Sequence, residues 1–494
     1  MRLGIDFGTT RTVVAVSDRG NFPVVSFEKA CGDLVPYFPS VVATDGDHWH
    51  YGHDATDVLQ QPRFSGLRSF KRSLAGAGAQ SRLLTIGTAS APLLDVLVGF
   101  LSALRRALVE RSDLVGTEDE PLEAVIGIPA RASSAQRLLT LEAFRTAGFV
   151  VVGMLNEPSA AGVEYAHRFR KTLTSRREDV LVYDLGGGTF DLSRVRLADR
   201  RHEVLAHTGL NDLGGDDFDH VLAELALRAA DLAPKDLSTD QLHRVVEHCR
   251  EQKEALHANS RKVHIELPDD RASVIAAADF YAAVRPLVQR SLDVLPEVLD
   301  ATTDLDSIAG VYVVGGASAL PVVARTLREA FARRVKRSSV ASASTAVGLA
   351  IAASGAAPVI RERFSRTFGV FREIDGGRDV VFDPILTPDL TIEADGSAFV
   401  RRYRPVHNIG HLSFVECERL VDGVPEGDVV PVGEIRFAYD PRLRQLADLR
   451  AVAVERRGHG PVMEERYEVC ASGVVSVRLI DTATGYCQEH RLHA

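Results

Sequence analysis

The chain has 494 residues, room for two to four domains of roughly 100–200 residues each, and its 45% hydrophobic and 25% charged content is that of ordinary globular protein. Fifty-eight basic against 67 acidic residues leave a net charge of −9, which argues against a general nucleic-acid or anionic-membrane surface. Five cysteines, an odd number with no CxxC, predict a reducing, cytoplasmic setting and neither a disulfide framework nor a zinc site.

The chain opens on Met1-Arg2-Leu3-Gly4-Ile5-Asp6, which reads as a core strand with no secretory leader before it. Leu3–Phe7 is the first of four clear strand candidates; the others are Ala124–Ile128, Val180–Tyr183 and Gly310–Val314. Between them, Leu93, Leu94, Leu97, Phe100, Leu101, Leu104 and Leu108 form a helical stripe. Leu138, Leu141, Phe144 and Ala147 form another, with Ser133 or Ser134 as cap and Gly148 as stop. Strands alternating with helices predict α/β layers with largely parallel core strands over residues 1–355. The longest weakly polar run, Gly348 to Ile360, is 13 residues and too short to span a bilayer, so no membrane association is expected. Residues 356–364 read as a linker. From 365 to 494 the helical stripes give way to alternating stretches: Ala398–Tyr403, Ser413–Cys417, Glu434–Tyr439, Leu449–Glu455, Tyr467–Cys470 and Val474–Ile480. They predict an all-β sandwich.

One pattern occurs twice. Gly4-Ile5-Asp6-Phe7-Gly8-Thr9-Thr10 has a counterpart in Val182-Tyr183-Asp184-Leu185-Gly186-Gly187-Gly188-Thr189: an apolar strand, an aspartate, a glycine turn and hydroxyl residues. Such a turn exposes backbone N–H groups in a concavity that suits phosphate, and glycine permits close approach. The carboxylates of Asp6 and Asp184 would repel bare phosphate, and make chemical sense with Mg²⁺ and its waters between. A single DxGT is a common turn. Two such hairpins predict two similar lobes facing a shared cleft. No GxxxxGK[ST] is present, which excludes a P-loop protein.

With Asn156-Glu157-Pro158-Ser159-Ala160-Ala161, Leu213-Gly214-Gly215-Asp216-Asp217-Phe218-Asp219, Val314-Gly315-Gly316-Ala317 and Ser69-Phe70-Lys71-Arg72 in the same order, the chain resembles the heat-shock protein 70 (DnaK-type) chaperones of the actin-like ATPase superfamily. The resemblance runs to about residue 352 and implies a two-lobed actin-like (ribonuclease H-like) ATPase domain. It implies ATP/ADP with Mg²⁺ and K⁺ as cofactors. By this resemblance Lys71 steadies γ-phosphate charge and positions the attacking water. Glu157 and Asp184 order the water and metal shell, Asp6 shares the cation, and Thr189 joins the catalytic set. Gly8, Thr9, Thr10, Arg11, Gly186, Gly187 and Gly188 contact phosphates, and Asp191 positions the second hairpin. Gly214, Gly215, Gly315 and Gly316 admit close backbone approach. Pro129 and Arg137 match the family's proline switch and relay arginine.

The adenosine end departs from the family. Lys253 matches its ribose-contacting lysine, but Arg250 stands in place of a glutamate, His257 in place of a serine, and Ala319 in place of the arginine that stacks on adenine. Loss of that stack predicts weaker binding by ~1 kcal/mol or more. The linker keeps only Val359 and Ile360 of an apolar docking stretch, predicting altered interdomain coupling. The last hairpin, Glu465–Val477, resembles that of the family's peptide-binding sandwich, and the end at Ala494 predicts a sandwich without its helical lid. The partners implied are unfolded or client peptides, a J-domain co-chaperone and a nucleotide exchange factor, with no nucleic acid. A small-molecule kinase and an actin/MreB-like ATPase scaffold share the fold and stand as alternatives.

Overall fold

The computed structural model describes residues 1–74, 82–114, 120–198, 201–210, 212–299, 307–357, 359–364, 366–374, 379–388, 390–392, 397–446, 448–470 and 473–492. The chain packs as two compact units. Met1–Thr12, Val25–Asn156 and Val359–Ala494 make the first, and Val13–Val24 with Glu157–Pro358 the second. The two Asp-Gly turns fall one in each.

In the first unit, β1 (Arg2–Phe7) leads through Gly8–Thr10 into the start of β2 (Arg11–Val16), whose Arg11 and Thr12 pair with Phe38–Pro39; Val13–Val16 belong to the second unit. Helix α1 (Leu93–Glu110) buries the predicted stripe except Leu94, which is half-buried, and adds Val96 to it. Then come β3 (Glu123–Ile128), α2 (Ser134–Thr146) and β4 (Val150–Asn156). Strands β1, β3 and β4 are parallel, in register Leu3↔Ala124 and Ala124↔Val151. Helix α2 starts on Ser133, whose hydroxyl accepts from the Gln136 N–H, and stops at Gly148 with φ +89°. Phe7 joins Phe70, Phe100 and Phe144 in one aromatic cluster under the first hairpin, with Phe70 and Phe100 5.1 Å apart.

In the second unit, α3 (Glu157–Arg168) precedes a meander of β5 (Asp179–Leu185), β6 (Phe190–Ala198) and β7 (Arg201–Leu210). Helices α4 (Gly215–Ala229) and α5 (Thr239–Glu254) follow, then β8 (Ile308–Val314), α6 (Pro321–Phe331), β9 (Val335–Arg337) and α7 (Ser344–Ala353). Strands β5, β8 and β9 are parallel while β5, β6 and β7 are antiparallel, so the expected parallel core carries a hairpin meander on one side. Gly348 of α7 lies against the Ala160 carbonyl of α3, so close that any Cβ there would collide with it.

The second unit also buries His202 on β7, at 3% exposure, and burial pushes its imidazole down to about 4 from 6.5. The unfolded chain therefore binds more protons between those values, and stability is lost as pH falls through that window, by up to about 3 kcal/mol. Buried Glu164, pushed up to about 7, acts with the opposite sign. His202→Gln is expected to lessen the loss of melting temperature between pH 7 and pH 4.5 relative to wild type. Equal losses in the two proteins would refute this assignment.

The sandwich returns the chain to the first unit. One sheet runs β11 (Asp379–Leu386), β10 (Thr367–Ile374), β13 (Ile409–Cys417), β14 (Val430–Ala438); the other runs β12 (Ser397–Tyr403), β15 (Met463–Val469), β16 (Val475–Asp481), β17 (Cys487–Arg491). Phe368, Phe414, Tyr467 and Val477 interlock between the sheets, and Arg372 grips buried Glu465 at 2.5 Å, with the Tyr467 hydroxyl donating to it at 2.6 Å. Two expectations are corrected. Leu449–Glu455 is not a strand. Asn408 captures it instead, its amide donating to Ala453 O at 3.0 Å and accepting from Glu455 N–H at 2.7 Å. Val359–Arg363, expected within a free linker, is a strand paired with Thr391–Ile392; Pro358, and Ser365 at the expected sandwich boundary, lie outside the described residues.

Candidate functional site

In the first unit Asp6 ends β1, and the turn after it is held tightly. The Gly8 N–H donates to Asp6 O at 3.0 Å, and a Cβ at Gly8 would run into the Arg11 carbonyl, so glycine is required. Ser40, which sequence reasoning did not single out, anchors the turn. Its hydroxyl donates to Gly8 O at 2.8 Å, and its N–H donates to Thr10 O at 3.0 Å. The Arg11 guanidinium stacks on Tyr37, 4.4 Å from the ring centroid. Lys71 is only 6% exposed, with Nζ 5.2 Å from the Phe7 ring centroid, so the aromatic cluster fixes it beside the base of the hairpin. Its neighbour Ser69 sits at φ +59°, a backbone conformation that favours glycine and that fixes the approach to Lys71.

In the second unit Asp184 pairs with Asp191 across β5 and β6, and the Gly186 N–H closes the turn onto Thr189 O at 3.0 Å. The start of α4 docks on this turn: Gly215 N–H donates to Gly186 O at 3.0 Å and Asp216 N–H to Gly187 O at 2.7 Å. A Cβ at Gly214 would lie 2.5 Å from Gly187 O, and Asp217 accepts the Gly214 N–H at 2.7 Å. From the other side comes Gly315, at φ +84°, so close to the Asp184 carboxylate and Leu185 carbonyl that no Cβ fits. Three glycine turns thus stack into one surface with Asp184 in it. Among the described residues the N–H groups of Gly187 and Gly188 have no hydrogen-bond partner, and beyond Gly316 a Cβ would meet open space. Orphan N–H groups over a glycine turn are an anion cradle. Glu157 opens α3, which the Ala160–Gly348 contact holds against α7.

Beside this surface lies a pocket of ≈ 740 Å³, lined by His257, Ala319, Arg325, Arg328 and Arg337 among others. His257 and Ala319 are where sequence reasoning expected the nucleoside. Lys253 sits at Gly215: its buried amine donates to Gly215 O at 2.7 Å and lies 2.6 Å from Asp219, which is wholly buried. Arg250 grips Asp219 at 3.2 Å, Asp216 at 3.1 Å and Glu247 at 3.1 Å. Burial pushes the Asp219 carboxyl up, against the pull of these two cations. In this geometry Lys253 and Arg250 brace the first turns of α4, and thereby Gly214 and Gly215.

An Hsp70 protein family model matches residues 108–366. The HscA homolog chaperone of Acidithiobacillus ferrooxidans is 30% identical over 519 aligned positions, covering 99% of this chain and 77% of that protein. The chain belongs to the Hsp70 family. The HscA homolog of Burkholderia multivorans is 35% identical over 355 positions, and this chain spans about half of it, 54%. That of Burkholderia pseudomallei is 34% identical over 346 positions, 65% of this chain and 53% of that protein.

This Hsp70-family chain also ties its sandwich to the lobe that carries Arg137. Glu416 on β13 is 4% exposed, and its carboxylate accepts the Ser134 N–H at 3.0 Å and the Ser134 hydroxyl, at the N-terminus of α2. Arg366 stands 3.9 Å away, and Glu418 pairs with Arg131. Arg137 is buried, not a surface residue: it donates to Asn156 Oδ1 at 2.6 Å and packs against Gly473 of the last sandwich hairpin. Pro129 begins the turn, accepting from Ala132 N–H at 3.0 Å. No local pattern in the sequence marks Glu416, because its partners are 282 residues away.

Proposed function

We propose that this Hsp70-family chain is an ATP-hydrolysing molecular chaperone. The observation that carries the reading is the stacked glycine surface of the second unit, where the free N–H groups of Gly187 and Gly188 sit by Asp184. These residues fit a polyphosphate: the N–H groups and Thr189 meet its oxygens, with Gly214, Gly215, Gly315 and Gly316 giving room. In the second unit Asp184 suits the water shell of Mg²⁺, which when bound would screen phosphate charge; Asp6 is the corresponding carboxylate in the first unit. In the first unit Gly8, Thr9, Thr10 and Arg11 form the other phosphate-contacting turn. Lys71, held by its aromatic bed, has the role of steadying charge developing on the terminal phosphate and orienting water, and Glu157 of the second unit that of ordering water.

The sandwich is the client-binding module in this reading. Its edge strand β11 exposes Val380 and Val381, and neighbouring β10 exposes Phe371 and Ile374. An extended apolar peptide can add to such an edge. A J-domain partner and a nucleotide exchange factor would then pace the cycle. All five cysteines are free, which suits a cytoplasmic chaperone. Among the described residues no helix is long and apolar enough to cross a membrane. Family membership favours this reading over a small-molecule kinase or an actin-like scaffold.

The test is the ATPase rate of wild type and Lys71→Ala, each with and without an unfolded client. Lys71→Ala is expected to lower turnover by about 100-fold or more, as loss of one preorganised cation does, and the client should accelerate only wild type. Wild-type hydrolysis indifferent to both client and J-domain partner would overturn the chaperone reading. Equal rates for wild type and Lys71→Ala would overturn the role of the lysine.

A further inference from the structure

The pocket beside the glycine surface carries more positive charge than its neighbours satisfy. Helix α6 buries Val322, Val323, Thr326 and Leu327, and turns its other face to the pocket with Ala324, Arg325 and Arg328. Arg337, at the end of β9, joins them. Among the described residues none of these three guanidinium groups makes a hydrogen bond or ion pair, whereas nearby Arg250 makes three ion pairs. Of the two acidic lining residues, Glu254 and Glu329, the latter is held by Arg285 at 2.5 Å. Apart from His257, the rest of the lining is small or apolar, with Ala319 among it.

One short turn, Gly315 to Ala319, links the glycine surface to the pocket lining. Gly315 packs on Asp184, Gly316 faces open space, and the Ala319 N–H donates back to Gly316 O at 3.1 Å. A ligand with its anionic end on the glycine surface would lay its other end among Ala319, Arg325 and Arg328. The volume suits a nucleoside. A guanidinium plane pairs well with the face of a flat aromatic base.

We propose that Arg325 and Arg328 hold the purine base of the bound nucleotide, reaching it from α6 in place of a stacking cation at position 319. The inference rests on the nucleotide reading of the glycine surface. It means that the alanine at 319 relocates base recognition to a different wall of the pocket. Arg325 and Arg328 are then specificity residues for the nucleoside, with no part in the phosphate chemistry.

The test is titration of the full chain with ATP, ADP and inorganic tripolyphosphate, which has phosphates but no base. Arg325→Gln/Arg328→Gln is compared with wild type and with the charge-matched surface control Arg261→Gln/Arg333→Gln. The loss of two cation–π contacts should weaken ATP and ADP about ten-fold. Tripolyphosphate should weaken by less than about two-fold, since only screened long-range charge is lost. The control should bind all three as wild type does. Adding Ala319→Arg to the double variant should recover ATP affinity. Equal weakening of ATP and tripolyphosphate, or unchanged ATP affinity, overturns the inference while wild-type binding preserves the nucleotide reading. A wild type that binds neither ATP nor tripolyphosphate overturns both.

Discussion

Gly315→Ala is expected to cut ATP turnover by at least about 100-fold, the scale of a roughly 1 Å misplacement of a catalytic group. Gly315 sits at φ +84°, and its missing Cβ points at the Asp184 carboxylate and the Leu185 carbonyl. An alanine therefore carries two penalties, left-handed strain of about 1–3 kcal/mol and a collision that pushes Asp184 off its place. The same turn supplies the control. Gly316 has φ −63°, and a Cβ there would meet nothing within 4 Å. Gly316→Ala should melt at the wild-type temperature, while Gly315→Ala melts several degrees lower. Rates are measured at saturating ATP, so a pure binding defect is separated from displacement of Asp184. Wild-type turnover by Gly315→Ala would show that Asp184 is not an ordering group in hydrolysis.

The second large effect is expected at Glu416. Its carboxylate caps the start of α2, where backbone N–H groups and the helix dipole favour negative charge. Glu416→Lys puts an ammonium against those N–H groups, beside Arg366 and Arg137, in a place closed to water. An uncompensated buried charge costs about 3–5 kcal/mol, enough to break the local contact. Amide exchange at residues 131–137 should accelerate by about 100-fold or more, while the amides of β15 and β16 stay protected. Those strands are held by the sandwich's own core and need nothing from α2. Glu416→Gln should be mild, because its amide oxygen still accepts from Ser134. Burial raises the Glu416 carboxyl above the ordinary range, with Ser134 and Arg366 pulling the other way. The native state therefore holds its proton to higher pH than the unfolded chain. Lowering the pH through the window just above the ordinary carboxylate range should tighten the contact. Unchanged exchange at 131–137 in Glu416→Lys would show that Glu416 does not hold the start of α2.

Much of the fold was legible because its signals are local. Short apolar runs and the leucine stripe located β1, β3, β5, β8 and α1 within a residue or two of their ends. The twin Asp-Gly turns, at Asp6 and Asp184, do lie in different units, although most of β2 belongs with the second. Leu449–Glu455 misled because its alternation is real, while the side chain of Asn408 offers that backbone the hydrogen bonds a strand would have used. Lys253 shows what the motif leaves out: its amine also binds Asp219 and the Gly215 carbonyl, contacts no local pattern announces.

The residues by themselves determined the family, the α/β units with a β-sandwich, and the identity of the glycine turns, since short-range pattern and steric need for glycine act within a few positions of the chain. Only the tertiary structure decided which cations are committed and which are available. Arg250 and Lys253 are consumed by Asp219, Arg325 and Arg328 line the pocket, and Glu416 finds a helix terminus 282 residues away. Electrostatic pairing depends on distance in space and on exclusion of water, and neither is written in the order of residues.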